Sequence, residues 1–200
     1  MTTEELTKQL ANQAKQLELL ARRKLPIKVG NLAKRQFQNN FLKGGFVNGG
    51  LKPWKKSQRQ SGKGTSAGYE TLLSGRNHLF SNIQYTPSDN RVKIHNDVPY
   101  AAAHNNGETL HPTVTPKMRR FAWAKFFQGA GIAKGDTKEQ KKAKIAAAPK
   151  EAKTWKNLAL TKKTKLSIKM PQRQFIGESK ELNEAVHNLI EKEVRKITNK

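Results

Sequence analysis

The sequence predicts an α+β fold: a small antiparallel β-sheet packed by N-terminal, central and C-terminal helices, with long basic loops. Three observations carry this. Long segments at both ends repeat their apolar residues every three or four positions, the period of an amphipathic helix. Short stretches near the middle alternate apolar and polar residues around turn-forming residues, the period of a half-exposed strand. Between them lie runs rich in Gly, Ser and Lys without any period, which read as loops.

Thr2 or Thr3 can cap a first helix running to Arg23, with Glu4 and Glu5 at the positive end of its dipole. Leu6, Leu10, Leu17 and Leu20 or Ala21 form its apolar stripe. Pro26 is expected to stop it, because proline lacks an N–H and its ring crowds the preceding turn. A second helix over residues 30–43 aligns Ala33, Phe37 and Phe41, and Gly44-Gly45 ends it. Residues 46–68 then form a basic Gly/Ser-rich loop. Its lone Trp54 is expected to pack on the protein's own surface rather than stack on a base.

Leu79, Ile83 and Tyr85 lead into a Pro87-Ser88-Asp89-Asn90 turn, after which Val92 and Ile94 alternate with polar residues; this reads as a hairpin. Pro99 starts a short helix over residues 100–104, Gly107 breaks it, and residues 108–114 form another strand. Thr115 caps and Pro116 opens a helix over residues 117–128 that carries Phe121 and Phe127. A Lys-rich stretch, residues 134–165, follows: Asp136 or Thr137 can cap a helix that Pro149 interrupts, with a second piece through Trp155. Leu166, Ile168 and Met170 alternate as a last strand, and residues 179–197 close the chain as an amphipathic helix.

Composition sets the functional bounds. Two hundred residues suit a single domain, and an apolar fraction of 35% implies a small core. A formal net charge of +24 favours polyanion contact, through phosphate neutralisation and counterion release, or docking on an acidic protein. Aromatic residues rarely alternate with the charge, however, and no helix-turn-helix, zinc-finger or RNA-reading signature is present, so any DNA contact is sequence-independent. With no Cys there is no thiolate chemistry, and no window is apolar enough to span a membrane. His95, His104 and His111 invite a metal reading, but no acidic or Cys ligand sits three or four residues from any of them. Ser81 or Ser88 with Asp89 and His78 lacks the glycine pattern of a nucleophile elbow, and GKGTSAG lacks P-loop spacing. Neither catalysis nor a metal or cofactor is expected.

Four blocks resemble the phage virion morphogenesis family, the tail-completion or neck proteins of tailed phages, and they fall in that family's order. FQNNFLKGGF (residues 37–46), followed by Trp54, resembles its first helix end and Trp-containing loop. LLSGRNHLFSNIQY (72–85) is similar to the turn feeding the first strand, with two extra residues before Leu79. VPYAAAHNNGETLHP (98–112) resembles a Tyr-Ala-x-x-His-x-x-Gly element through Tyr100, Ala101, His104 and Gly107. MPQRQFIGES (170–179) resembles a Pro-x-Arg-x-Phe-Leu/Ile-Gly element through Pro171, Arg173, Phe175 and Gly177.

The resemblance implies a single virion-morphogenesis domain and a structural subunit of a ring at the head–tail junction, with residues 134–165 as a variable insertion. Its implied partners are further copies of itself, six by family analogy, the neighbouring neck or connector proteins, and tail-terminator or tail-tube proteins. Genomic DNA in the channel is a further implied contact. A free nucleic-acid-binding protein or a non-virion assembly factor is the alternative. The residues read as fixing a turn are Tyr100, His104 and Gly107, with His104 bonding the hairpin and Gly107 at positive φ. Arg173 is read as pairing with a neighbouring subunit's carboxylate or with Glu178 or Glu181. Lys55, Lys56, Arg59, Lys63, Lys141, Lys142 and Lys144 are the candidates for touching DNA or an acidic partner.

Overall fold

A computed structural model of the chain describes residues 2–61 and 65–199. Helices dominate, and the strands pair antiparallel as separate two-stranded ribbons, so the α+β expectation holds. The chain forms two compact units, Met1–Glu108 with Met170–Lys200, and Thr109–Lys169. The second unit is wider than the Lys-rich stretch 134–165, which occupies its C-terminal part.

The first unit opens with α1 (Thr3–Leu19). Thr2 caps it reciprocally: its hydroxyl accepts from the Glu5 N–H, and the Glu5 carboxylate accepts from the Thr2 N–H. Pro26 does not end the rod. A π turn, Leu20–Lys24, intervenes, and Pro26 becomes the second residue of α2 (Leu25–Leu42); the Arg22 carbonyl four residues back, which a Pro26 N–H would meet in a regular helix, accepts from the Asn90 N–H at 3.4 Å. The widened turn supplies the room that the proline ring takes from a regular helix. At the far end Gly44, at φ +65°, closes α2 as expected.

Ala33, Phe37 and Phe41 face the core of this unit with Phe46, Trp54, Leu79, Ile83, Ala101 and Phe175. The loop after α2 is more ordered than its composition suggests. It begins as a hairpin of β1 (Gly45–Val47) and β2 (Leu51–Pro53). Trp54 then turns inward, edge-on to Phe41 at 5.4 Å, and its Nε1–H donates to the Gln174 carbonyl at 2.8 Å. Trp54 is therefore a core residue of its own unit, well beyond surface packing.

A one-turn helix, α3 (His78–Ser81), leads to the predicted hairpin of β3 (Ile83–Ser88) and β4 (Arg91–Asn96). Its register pairs Tyr85 with Ile94, and the turn narrows to Asp89-Asn90, with Asn90 at φ +57°. Pro87 lies inside the strand opposite Val92 rather than in the turn. The hairpin crosses α2 closely: a methyl group on Gly30 would stand 2.3 Å from the Tyr85 ring. Next comes α4 (Ala101–Asn106). After the chain returns at Met170, Ser179 caps α8 (Lys180–Thr198), which packs on α2 and on the end of α1. Glu193 ties α8 to α2 through Lys28 at 2.5 Å and to its own turn through Lys196 at 2.7 Å.

In the second unit β5 (Thr109–Leu110) pairs with β6 (Ile168–Lys169), and a bridge from Thr113 to Lys165 extends the contact. Regular strand is thus shorter than the expected 108–114, because Pro112 interrupts the ladder on one side. Thr115 caps α5 (Pro116–Gly129) by accepting from the Met118 N–H. Thr137, not Asp136, caps α6 (Lys138–Ala146), with Gln140 completing the box. Pro149 begins α7 (Lys150–Leu160), which lies along α5. Phe126, Ala148 and Ala152 make a small core. No helix among the described residues is long and apolar enough to cross a membrane.

Candidate functional site

The two motif elements singled out in the sequence meet in the first unit. The segment Pro171–Gly177 crosses α4 and the Trp54 loop, and main-chain bonds lay it down. The Arg173 N–H donates to the His104 carbonyl at 2.7 Å, and the N–H groups of Phe175 and Ile176 both donate to the Asn105 side-chain oxygen, at 2.9 and 3.0 Å. Ala101 and Phe175 are buried beneath the crossing, while Pro171 is half-buried. Gly107 ends α4 at φ +74°, and a methyl group there would stand 3.0 Å from the Gln172 side chain. The expected turn-fixing role of Gly107 is met by both backbone freedom and close approach. Tyr100 sits edge-on to His104 at 5.9 Å. Gly177 leaves room for the Gln174 side chain.

Two further residues hold this corner from within the family-like blocks without being matched motif positions. Asn105 does so through the bonds just given. Asn40, 1% exposed on α2, donates to the Phe175 carbonyl and accepts from the Val47 N–H, both at 3.2 Å. Their only sequence signal is a polar residue within an otherwise core-facing helical stretch.

Arg173 pairs with neither Glu178 nor Glu181. Its Nε donates to the Lys55 carbonyl at 2.9 Å and its Nη2 to the Lys56 carbonyl at 3.4 Å, fixing the stretch after Trp54. Glu181 instead accepts from the Gly50 N–H and the Ser179 hydroxyl. Nor does His104 bond the hairpin: its Nδ1 is buried without a partner among the described residues. Burial first, and Arg173 second, hold His104 below the usual histidine range. These side chains, with Arg59 and His78, border a cavity of about 250 Å³.

The candidate contact residues divide. Lys55 and Lys56 present exposed side chains. Arg59 does not: its Nη2 donates to the carbonyls of Glu70 and Leu73, the former at 2.7 Å. Lys63 lies outside the described residues. In the second unit Lys142 is exposed and Lys141 half-buried, whereas Lys144 is engaged by Asp136 at 2.8 Å. Asp136 also accepts from the Ala133 N–H, and Lys144 leads that bond in holding its carboxyl below the usual carboxylate range.

The interleaving of aromatic residues with charge, absent along the sequence, appears in space. Phe121, 53% exposed, meets Trp155 edge-on at 5.8 Å, and Lys125 stands 5.7 Å over the Phe121 ring. The signal was a helical one: Phe121 and Lys125 are four apart on α5, and Trp155 comes from α7 beside it.

The three histidines of the metal reading are not gathered. His95 is taken up by Thr86 at 3.1 Å and Asp97 at 3.0 Å, His104 lies at the crossing, and His111 belongs to the second unit. Among the described residues no group of three or more His, Asp or Glu stands close enough to hold a metal ion.

Comparison with known proteins gives one match, to the sequence model of the phage virion morphogenesis family, over residues 2–195. No curated protein and no solved structure matches the chain.

Proposed function

The chain belongs to the phage virion morphogenesis family and is thus a protein of phage virion assembly; from that premise we propose that it completes the tail or neck of a tailed phage as a ring subunit at the head–tail junction. The observation that carries this reading is α1. It buries none of its 17 residues and leaves Leu6 and Leu10 at 43% and 57% exposure. In a closed ring each copy offers one surface and receives another, and α1 presents an apolar stripe with Leu6 and Leu10 exposed. Six-fold symmetry suits a tail by family analogy.

The subunit's neighbours in this reading are further copies, a neck or connector protein on one side, and a tail-terminator or tail-tube protein on the other. Its role is structural, without turnover, cofactor or membrane. The exposed lysines, Lys55, Lys56 and Lys142 among them, meet acidic neighbours, where charge sets docking register and on-rate more than affinity. Electron cryomicroscopy of intact virions tests the proposal. A ring of these subunits between connector and tail is expected; a protein found in infected cells but absent from the particle would overturn it.

One observation favours a second reading, sequence-independent nucleic-acid binding. Over Thr109–Lys169 sixteen Lys and Arg face three carboxylates, and the exposed Phe121–Trp155 pair lies among them. Steeply salt-dependent DNA binding by the purified protein, weakened by Trp155→Ala, would support this reading.

A further inference from the structure

The cavity at the α4 crossing has a one-sided charge. Arg59, Arg173, His78 and His104 line it, and among the described residues no carboxylate does. Arg173 is 6% exposed. Its Nε and Nη2 hold backbone carbonyls, and its Nη1 makes no hydrogen bond among the described residues. Arg59 has the same imbalance: Nη2 is used, but Nε is buried without an acceptor among the described residues. The Nδ1 of His104 is, with Arg59 Nε, the second buried polar atom without a partner among the described residues.

Buried polar groups are normally paired, and a buried charge lacking a counter-charge is strongly unfavourable. The strain on this cluster shows in its chemistry. Burial, and then the neighbouring Arg59, pull the Arg173 guanidinium below its usual range. Most other cations among the described residues are exposed; here two guanidinium groups share a recess with unused donors.

The walls indicate which anion fits. Leu72, Leu79 and the Tyr100 ring supply apolar surface beside the two guanidinium groups. That combination suits a carboxylate on a methylene stem, since the planar fork of Arg matches carboxylate geometry and the stem prefers apolar contact. At about 250 Å³ the space falls below the ~300–1,000 Å³ typical of cofactor sites. It is closer in scale to one side chain.

We infer that this cavity is a receptor for a single carboxylate on an acidic segment of a protein neighbour, held by Arg59 and Arg173 beside the His104 ring. The assembly reading is needed only to say where the neighbour comes from; the site itself stands on the cavity.

The test uses the full chain with ¹⁵N-labelled histidine, observed by NMR at constant ionic strength. The probe is N-acetyl-glutamate N-methylamide, with the glutamine analogue and inorganic phosphate as comparators. A saturable shift of the His104 ring signals with the glutamate probe alone is expected. Arg59→Gln, which removes a charged donor, weakens that response by about tenfold or more. No saturable shift, or an equal shift with the glutamine analogue, would overturn the proposal. A stronger response to phosphate would overturn the choice of a carboxylate. Should Arg59→Gln not fold, the wild-type comparison between glutamate and glutamine probes decides alone. A negative result here leaves the virion imaging untouched, so failure of the site and failure of the ring reading are distinguishable.

Discussion

The backbone N–H of Arg173 donates to the carbonyl of His104 at 2.7 Å. Main chain therefore lays the returning segment on α4, and the Arg173 side chain is left to reach past the crossing to the carbonyls of Lys55 and Lys56. One residue thus ties together three pieces of chain. His104 sits at the joint and is the group whose charge state the joint controls.

That control has a pH signature. Burial and Arg173 hold the folded His104 below its ordinary value of 6.5. The unfolded chain binds a proton near pH 6.5 that the folded chain refuses, so this contribution favours folding above that pH. It is lost as pH falls from 6.5 towards the depressed folded value. His104→Gln should remove this part of the slope in urea-denaturation midpoints measured across that window. An unchanged slope in the variant would show that His104 is not its source.

Gly107→Ala should destabilise the first unit by about 1–3 kcal/mol, from positive φ combined with the close Gln172 contact. Chemical denaturation reads it directly. Gly50→Ala, at φ +116° with nothing within 4 Å, isolates backbone strain from crowding.

Asn40→Ala leaves the Val47 N–H and the Phe175 carbonyl without their partner in a buried site. With about 1–3 kcal/mol for each of these two buried groups left unsatisfied, a loss of about 2–6 kcal/mol is expected. A loss under 1 kcal/mol would mean that water or a shifted chain replaces the amide.

Glu193 is held down to about 2 by Lys196 and Lys28. Its folded value lies below the ordinary 4.5, so its contribution is present above pH 4.5 and is lost as pH falls through about 2. Glu193→Gln should therefore lower the denaturation midpoint at neutral pH and match wild type near pH 2. High salt should narrow the neutral-pH difference only in part, since the carboxylate is recessed.

Charge reversal in α6 should separate two kinds of lysine. Lys142→Glu keeps the fold and, on the ring reading, slows head–tail joining on the order of tenfold in a complementation assay. Lys144→Glu breaks the pair with Asp136 and lowers the stability of the second unit as well. Equal stability for both variants would assign Lys144 to the surface after all.

Local signals in the sequence were legible and distant ones were not. The caps at Thr2, Thr115 and Thr137, the Ala33-Phe37-Phe41 face and the positive φ at Gly107 depend on residues within one or two turns. Pro26 misled because its cost is usually met by ending a helix, whereas here a π turn absorbs it. Trp54 and Asn40 depend on chain more than a hundred positions away, at Gln174 and Phe175, and no local pattern announces such partners. The cavity was illegible for the same reason: Arg59, His104 and Arg173 come from three separate stretches. The family motif marked two of them without revealing that each keeps a polar atom unpaired among the described residues.

The Met170 N–H donates to the Glu108 carbonyl at 3.1 Å, beside the β5–β6 pair. The sixty-odd residues between them therefore leave and rejoin the first unit through adjacent doorposts. Evolution can exchange such a cassette whole, because a tight turn from Glu108 to Met170 would close the gap without moving either post.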